Sequence, residues 1–254
     1  VVTRGRGQGT EFDALREYVI GDDVRSIDWR ASARRSDVVV RSWRPERDRR
    51  VVCVLDTGRT SAGRIGDEPR LDAAIDAALL LAMLAARAGD RVDLLAVDTA
   101  VRAAVANPGK RTLLWQLVSA MAPLSPALVE TDFGLVASEV LRRERKRALV
   151  VLFTALEPGA LGEGLLPVLP RLAARHRVLV AAVHDPELGA LTAVRPQRAG
   201  DVYAAAAAWR ALDERDRVRA ALARNGVTVV DAPVPEFASR VADTYLHLKA
   251  TGRL

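Results

Sequence analysis

After position 50, apolar residues along this 254-residue chain gather into short dense runs at 51–55 (VVCVL), 92–97 (VDLLAV), 148–153 (ALVVLF), 178–183 (VLVAAV) and 227–230 (VTVV). Four of the five are almost wholly apolar, the pattern of parallel strands buried on both faces. Between them lie longer segments with apolar residues at helical spacing: 71–87, 112–121, 132–143, 165–175 and 204–223, with 236–248 closing the chain. Such alternation predicts right-handed βαβ units in an α/β, doubly wound, mostly parallel sheet. The strand at 51–55 is expected at its centre, with 92–97 on one side and 148–153 on the other.

Two segments depart from the alternation. The run 101–105 follows position 97 after only Asp98, Thr99 and Ala100, which predicts a hairpin and one antiparallel edge strand. The run 37–43 precedes the first core strand across 44–49, which predicts a second hairpin. The first 36 residues read as an appendage, glycine-rich at Gly5, Gly7 and Gly9 and then polar and acidic. The expected division is therefore an N-terminal extension with its hairpin strand at 1–44 and the α/β domain at 45–254. The longest strongly apolar stretch, 77–86, is far shorter than the ~18 residues that span a bilayer. The chain opens on Val1 and Val2 with neither an initiator methionine nor a signal leader, and is read as the C-terminal piece of a longer protein.

Composition sharpens this picture. Half of the residues are hydrophobic, 28% charged and only 4% aromatic, which favours helices on a flat sheet over an aromatic-rich sandwich. Lys110, Lys146 and Lys249 are the only lysines, so the net charge of +6 is almost entirely arginine, a skew read as coding bias. Because the charge is spread over the sequence, nucleic acid is not the expected partner. Cys53 is the only cysteine and lies inside an apolar run. A core thiol with no internal disulfide fits a reducing cytosol.

Candidate chemistry begins where the central strand ends. The run 51–55 leads straight into Asp56, Thr57, Gly58, Arg59, Thr60 and Ser61. Ligands of open α/β sheets bind beyond the carboxyl ends of strands, where a carboxylate and hydroxyls can hold a hard cation. The same residues can equally satisfy the turn's own hydrogen bonds.

The segment from Gly7 to Arg59 narrows the choice. Its Gly9, Glu11, Phe12, Leu15, Arg16 and Tyr18, then Gly21, Asp22, Asp23, Arg25, Ile27, Asp28, Trp29, Ala31, Ser32, Ala33 and Arg34, resemble the signature of the bacterial domain of unknown function 58 family. Members of that family carry a von Willebrand factor A-like domain. The resemblance implies a divalent-metal turn of the form Asp-x-Ser-x-Ser, a threonine from a second loop and an aspartate from a third. Here the turn reads Asp56, Gly58, Thr60, so the middle hydroxyl is missing. Thr131 and Asp132 match the second loop, although a helix N-cap explains Thr131 as well. The third loop has Ala155 where the carboxylate is expected. Mg²⁺ requires about six oxygens in near-octahedral geometry, so the expectation is a degenerate site with no resident cofactor and at most weak Mg²⁺ binding, its candidate ligands being Asp56, Thr60 and Thr131.

Enzyme motifs fail one by one. The segment Asn107 to Thr112 superficially resembles a phosphate-binding loop, but Ala104 and Arg111 stand where its first glycine and its hydroxyl belong. His176, His184 and His247 have no metal-ligand spacing, and there is no Gly-x-Ser-x-Gly elbow. Asp22, Asp23 and Asp28 interleave with Arg25, Arg30 and Arg34, as in an ion-pair brace. The resemblance implies instead a non-enzymatic protein-binding or adaptor domain, with Asp56, Gly58, Thr60, Ser61, Thr131, Asp132 and Ala155 expected on a partner-binding rim that offers hydrogen bonds to the partner. The resemblance implies a MoxR-type AAA+ ATPase as partner, protein assembly or remodelling as the task, and a position on the cytoplasmic side of a membrane, tethered by segments outside this chain. The alternatives are a metal-dependent hydrolase or nuclease built on Asp22, Asp23 and Asp28, and a nucleic-acid module built on Arg30, Arg34, Arg35, Arg41 and Arg44.

Overall fold

The computed structural model describes residues 11–20, 22, 24–34, 37–44, 49–106, 108, 109, 111–193, 195 and 197–254, with the backbone alone at 11–14, 16 and 41–44. Two compact units divide the chain, Val1–Asp48 and Arg49–Leu254.

In the first unit, strand β1 (Glu11–Glu17) pairs antiparallel with β2 (Val39–Arg44), in a register running from Glu17 opposite Val39 to Glu11 opposite Arg44. Between them stands one helical turn, α1 (Trp29–Ser32), capped by Asp28, whose Oδ1 accepts the Ala31 N–H at 3.0 Å. Ser32 Oγ donates to the Asp28 carbonyl at 2.8 Å and accepts the Val39 N–H at 2.9 Å, pinning the turn to β2. This pairing corrects the expected second hairpin. Among the described residues β2 joins β1 and not the first core strand. In EFDALRE, Phe12 and Leu15 stand among polar residues and supply a strand from a segment that reads as a polar appendage.

The second unit is built on β3 (Arg50–Asp56), which runs into a minor ribbon of β4 (Arg64–Ile65) and β5 (Glu68–Pro69) and then α2 (Arg70–Arg87). There follow β6 (Arg91–Val97), β7 (Val101–Val105), α3 (Leu113–Met121), α4 (Phe133–Arg143), β8 (Leu149–Phe153), α5 (Leu166–Ala173), β9 (Arg177–Val183), α6 (Pro186–Ala193), α7 (Ala199–Arg224), β10 (Thr228–Ala232) and α8 (Val234–Ala250). The sheet order is β10-β9-β8-β3-β6-β7, parallel throughout except at β7, the antiparallel edge. The central strand, both its neighbours and the edge hairpin are where the apolar runs put them. The helix α6, which buries no residue, has no counterpart in the apolar periodicity.

Side chains alternate across the sheet. Val51, Cys53 and Leu55 pack with α2, α3 and α8, while Val52 and Val54 pack with α4, α5 and α7. Helix α2 can lie close because alanines at 74, 77, 78, 82 and 85 form its buried stripe with Leu71 and Leu81, and Gly89, at φ +81°, turns the chain into β6. The opposite side of that turn is tied down by α8. Tyr245 Oη donates to Asp90 Oδ2 at 2.6 Å, and Lys249 Nζ to Asp90 Oδ1 at 2.8 Å. Burial and the adjacent carboxylate push the Tyr245 hydroxyl above its usual range, so it serves as a donor.

Candidate functional site

The connections from β3 and β8 leave towards opposite faces, α2 covering one and α5 the other. That divergence opens a crevice beyond the carboxyl ends of two adjacent strands, the position where open α/β sheets bind ligands. Asp56 closes β3 at this point and is 1% exposed. Its Oδ1 accepts the Gly58 N–H at 2.8 Å and the hydroxyl of Thr131. Its Oδ2 accepts the hydroxyls of Thr60 at 2.9 Å and Thr154 at 2.5 Å, and its carbonyl accepts Ser61 Oγ at 2.5 Å. One carboxylate thus gathers donors from three loops, satisfying the charge that burial would otherwise penalise.

Each donor has a local reason to be there. Thr60 and Ser61 lie in a single 3-10 turn spanning Arg59–Ala62, which carries both hydroxyls back over the strand end. Thr131 is free to bond Asp56 because Asp132, and not Thr131, caps α4, its Oδ1 accepting the Leu135 N–H at 2.8 Å. Thr154 follows from register. Leu55 pairs with Phe153, so the next residue of β8 comes out beside Asp56. This threonine is absent from the expected set, and the sequence signal for it was present, because the apolar runs at 51–55 and 148–153 end on polar residues side by side. Asp98, also missed, terminates β6 in the same way: buried, it accepts Arg102 Nε at 2.6 Å and the Ala100 N–H at 3.0 Å. Burial opposes its charge, but the Arg102 bond prevails and holds its carboxyl below the ordinary range. The Asp98 carbonyl accepts the Asp132 N–H at 3.0 Å, joining a third strand end to the group.

The expected metal set can be tested against this geometry. A Cβ on Gly58 would stand 2.1 Å from Thr131 Oγ1 and 2.8 Å from the Val129 carbonyl. The threonine of the second loop therefore occupies the space that a serine side chain at 58 would need. Ala155 is buried and brings no oxygen side chain. With Gly58 N–H and three hydroxyls spent on one carboxylate, an ion at this point would have to displace bonds already made, with a single protein charge to offset its own. The residues present do not fit a resident Mg²⁺. Beside the carboxylate, a cleft lined by Thr60, Ser61, Arg70, Phe153, Thr154 and Phe237 has room for little more than a water molecule.

What reaches solvent is the rim above this knot. The loop before α4 is stitched to the β3 loop by Arg59 N–H to Val129 O (2.8 Å) and Ala127 N–H to Thr57 O (2.8 Å). Leu128 stands 81% exposed at its tip. Arg59 Nε bonds Glu130 at 2.6 Å, and Glu157 accepts Arg70 Nη1 at 3.0 Å. Asp56, Thr60 and Ser61 are thus beneath the rim and not on it, which corrects the expectation that they offer hydrogen bonds to a partner. Thr131 is only half-buried, and Asp132 is exposed but occupied as a cap.

The remaining candidates are dispersed. His184 bonds Asp231: its Nδ1 lies 3.1 Å from Asp231 Oδ1, while Arg215 holds both carboxylate oxygens at 2.6 and 2.7 Å. Burial works against the Asp231 charge, but Arg215 outweighs it and keeps the carboxyl below its usual range. Asp22 accepts the Val19 N–H at 3.0 Å and Asp28 caps α1. Trp29, Arg25 and Arg34 are described, and all three are exposed. Gly21, Asp23, Arg35, Asn107 and Lys110, and the side chains of Arg41 and Arg44, lie outside the described residues. Among the described residues, no three His, Cys, Asp or Glu side chains converge as a metal-holding group, and no helix is long and apolar enough to cross a membrane.

Comparison with known proteins places the chain. It is 30% identical over 185 residues to the uncharacterized proteins Rv1480 of Mycobacterium tuberculosis and Mb1516 of Mycobacterium bovis, covering 71% of this chain and 56% of theirs. It thus spans little more than half the length of these relatives. Among solved structures it is similar to the von Willebrand A domain of SpRpn10 (TM-score 0.44, 12% identity, 77% of this chain and 94% of that one). It is also similar to the conserved hypothetical protein BatB from Bacteroides thetaiotaomicron (TM-score 0.42, 13% identity, 77% of this chain and 98% of that one). Residues 14–229 match the family described as "Protein of unknown function DUF58", and this α/β chain belongs to that family.

Proposed function

We propose that the chain is a non-enzymatic protein-binding module, which presents the rim around Leu128, Arg59 and Glu130 to a protein partner, with a MoxR-type AAA+ ATPase as that partner. The observation that carries this reading is the Asp56 knot. One buried carboxylate fixes the loops after β3, before α4 and after β8 as a single surface, so little loop entropy is left to lose on binding. An exposed leucine flanked by charged side chains suits the apolar anchor and polar surround of a protein interface. Asp56 contributes by holding the rim, not by touching the partner.

Two further observations favour binding over chemistry. The carboxylates that a hydrolase or nuclease would need are committed elsewhere: Asp28 to its helix cap, Asp231 to Arg215, Asp56 to four donors. The Gly58 contact and Ala155 argue for a site without a resident metal. The module acts on the cytoplasmic side of a membrane, tethered by segments outside this chain. The test is capture of the cognate ATPase by the wild-type chain and by Leu128→Asp and Glu130→Arg variants. Both variants should melt normally and lose association by more than about tenfold, since a central anchor is worth ~2 kcal/mol or more. Unchanged capture by both would remove the rim from the interface and leave the exposed α1 turn, with Trp29, as its place.

A further inference from the structure

The two ends of the sheet differ in charge. Because β3, β6, β8, β9 and β10 are parallel, the amino ends of these strands lie side by side along one edge, at the end remote from Asp56. That edge is lined with exposed arginines: Arg87 at the end of α2, Arg145 and Arg147 before β8, Arg175 before β9, Arg224 at the end of α7 and Arg253 after α8. The described acids in the loops that enter these strands are already engaged. Asp90 is held by Tyr245 and Lys249, and Glu144 accepts Arg50 Nη1 at 2.8 Å and the Lys146 N–H at 2.8 Å. Helix C-termini favour a cation in the last turn, which accounts for Arg87 and Arg224. It does not account for Arg145 and Arg147, which lie beyond the last turn of α4.

We propose that this arginine-lined amino edge docks on a bilayer surface bearing anionic lipids. Three observations favour that occupant. The charges form a plate and not a line: five strands at ~4.8 Å spacing give a width of ~19 Å, and helices on both faces give depth, with Arg87 and Arg253 on the α2 and α8 side and Arg145, Arg175 and Arg224 on the other. A planar array of phosphates meets such a plate more completely than the narrow backbone of a nucleic acid. The described residues of these loops include no aromatic side chain on which a base could stack. The described loops are also short, and among them no element is left to enter a groove. Guanidinium groups suit lipid phosphates because they donate in pairs. Docked this way, the chain would hold its opposite end, with Leu128, away from the bilayer.

The experiment is co-sedimentation of the full chain with phosphatidylcholine vesicles, with and without phosphatidylglycerol, at low and high salt. An edge variant (Arg145→Glu, Arg147→Glu, Arg175→Glu) is compared with a control variant (Arg64→Glu, Arg195→Glu, Arg210→Glu), whose arginines are exposed and lie away from that edge. Each reverses three charges and so cancels the formal net charge of +6. The wild type should bind only the anionic vesicles and release at high salt. The edge variant should lose about 100-fold in partitioning, at ~1 kcal/mol for each arginine near the surface, and the control should lose far less. Equal losses in the two variants would overturn the proposal by reducing it to net charge. So would wild-type binding to neutral vesicles, or edge-dependent binding to duplex DNA without binding to vesicles. If the edge variant does not melt like the wild type, the corresponding three Arg→Gln substitutions carry the same comparison.

Discussion

Gly58 and Thr131 should be energetically coupled, because the space beside one is filled by the hydroxyl of the other. The Gly58 backbone, at φ −81° and ψ −167°, is open to any residue, so Gly58→Ala adds no conformational strain and its cost is contact alone. The new methyl group would meet Thr131 Oγ1 at 2.1 Å and Val129 O at 2.8 Å. Backbone stitched to Arg59 N–H cannot give way cheaply, and overpacking of this kind costs about 1–3 kcal/mol. Thr131→Ala alone removes a hydrogen bond to a carboxylate, about 1.5–3 kcal/mol. In the double variant the closer of the two clashes is gone and the bond is lost only once. The pair should therefore cost at least ~1 kcal/mol less than the sum of the singles. Urea unfolding followed by circular dichroism measures all four corners of the cycle. Additivity within ~0.5 kcal/mol, the behaviour of independent sites, would refute the reasoning. The same geometry predicts that Gly58→Ser destabilises the fold instead of completing a metal site.

Three further outcomes follow from the buried polar groups. His176 is 3% exposed with neither ring nitrogen bonded, and burial, against a weaker opposing pull from Glu144, holds its pKa below the usual value. The unfolded chain therefore binds a proton that the folded chain refuses, and stability should fall as pH drops through the unfolded value of ~6.5, by at most ~1.4 kcal/mol per pH unit. His176→Leu should flatten that slope in urea titrations between pH 5 and 7, and an unchanged slope would contradict the assignment. Burial pushes the Cys53 thiol up to about 12, so native protein should resist iodoacetamide at pH 8 and react only on unfolding; rapid native labelling would show that the strand opens. Saturating Mg²⁺ or Mn²⁺ should leave the Tm unchanged. An ion at 100 times its Kd would add about 2.7 kcal/mol, so a chelator-reversible rise of several degrees would reinstate the metal site.

Strands were the most legible part of the fold because burial on both faces leaves an almost pure apolar run, as at Val51 to Leu55. The first unit is least legible: Phe12 and Leu15 alternate too sparsely to mark β1, so the run 37–43 reads as a hairpin partner of the first core strand, whereas β2 pairs with β1. At the site, Asp56, Thr60 and Thr131 were readable from their places after β3 and before α4. Thr154 and Asp98 were readable in principle, since parallel register brings the residues after neighbouring apolar runs together. The Gly58 contact was not readable, because it depends on where a hydroxyl from 73 residues further along comes to rest. Nor could sequence show that Asp56 is covered, a consequence of the 3-10 turn folding its own hydroxyls back onto it. The charged edge escaped for a related reason. Arginines scattered along the chain become neighbours only when parallel strands align the loops that carry them.

The most direct test of the account is the hydrogen-exchange footprint of the proposed ATPase partner on this chain. If the Asp56-held rim is the binding surface, amides at 57–61 and 127–132 should slow on complex formation while those of α1 and its flanks stay unchanged. Protection confined to residues 24–34, with the rim exchanging as in the free chain, would contradict it.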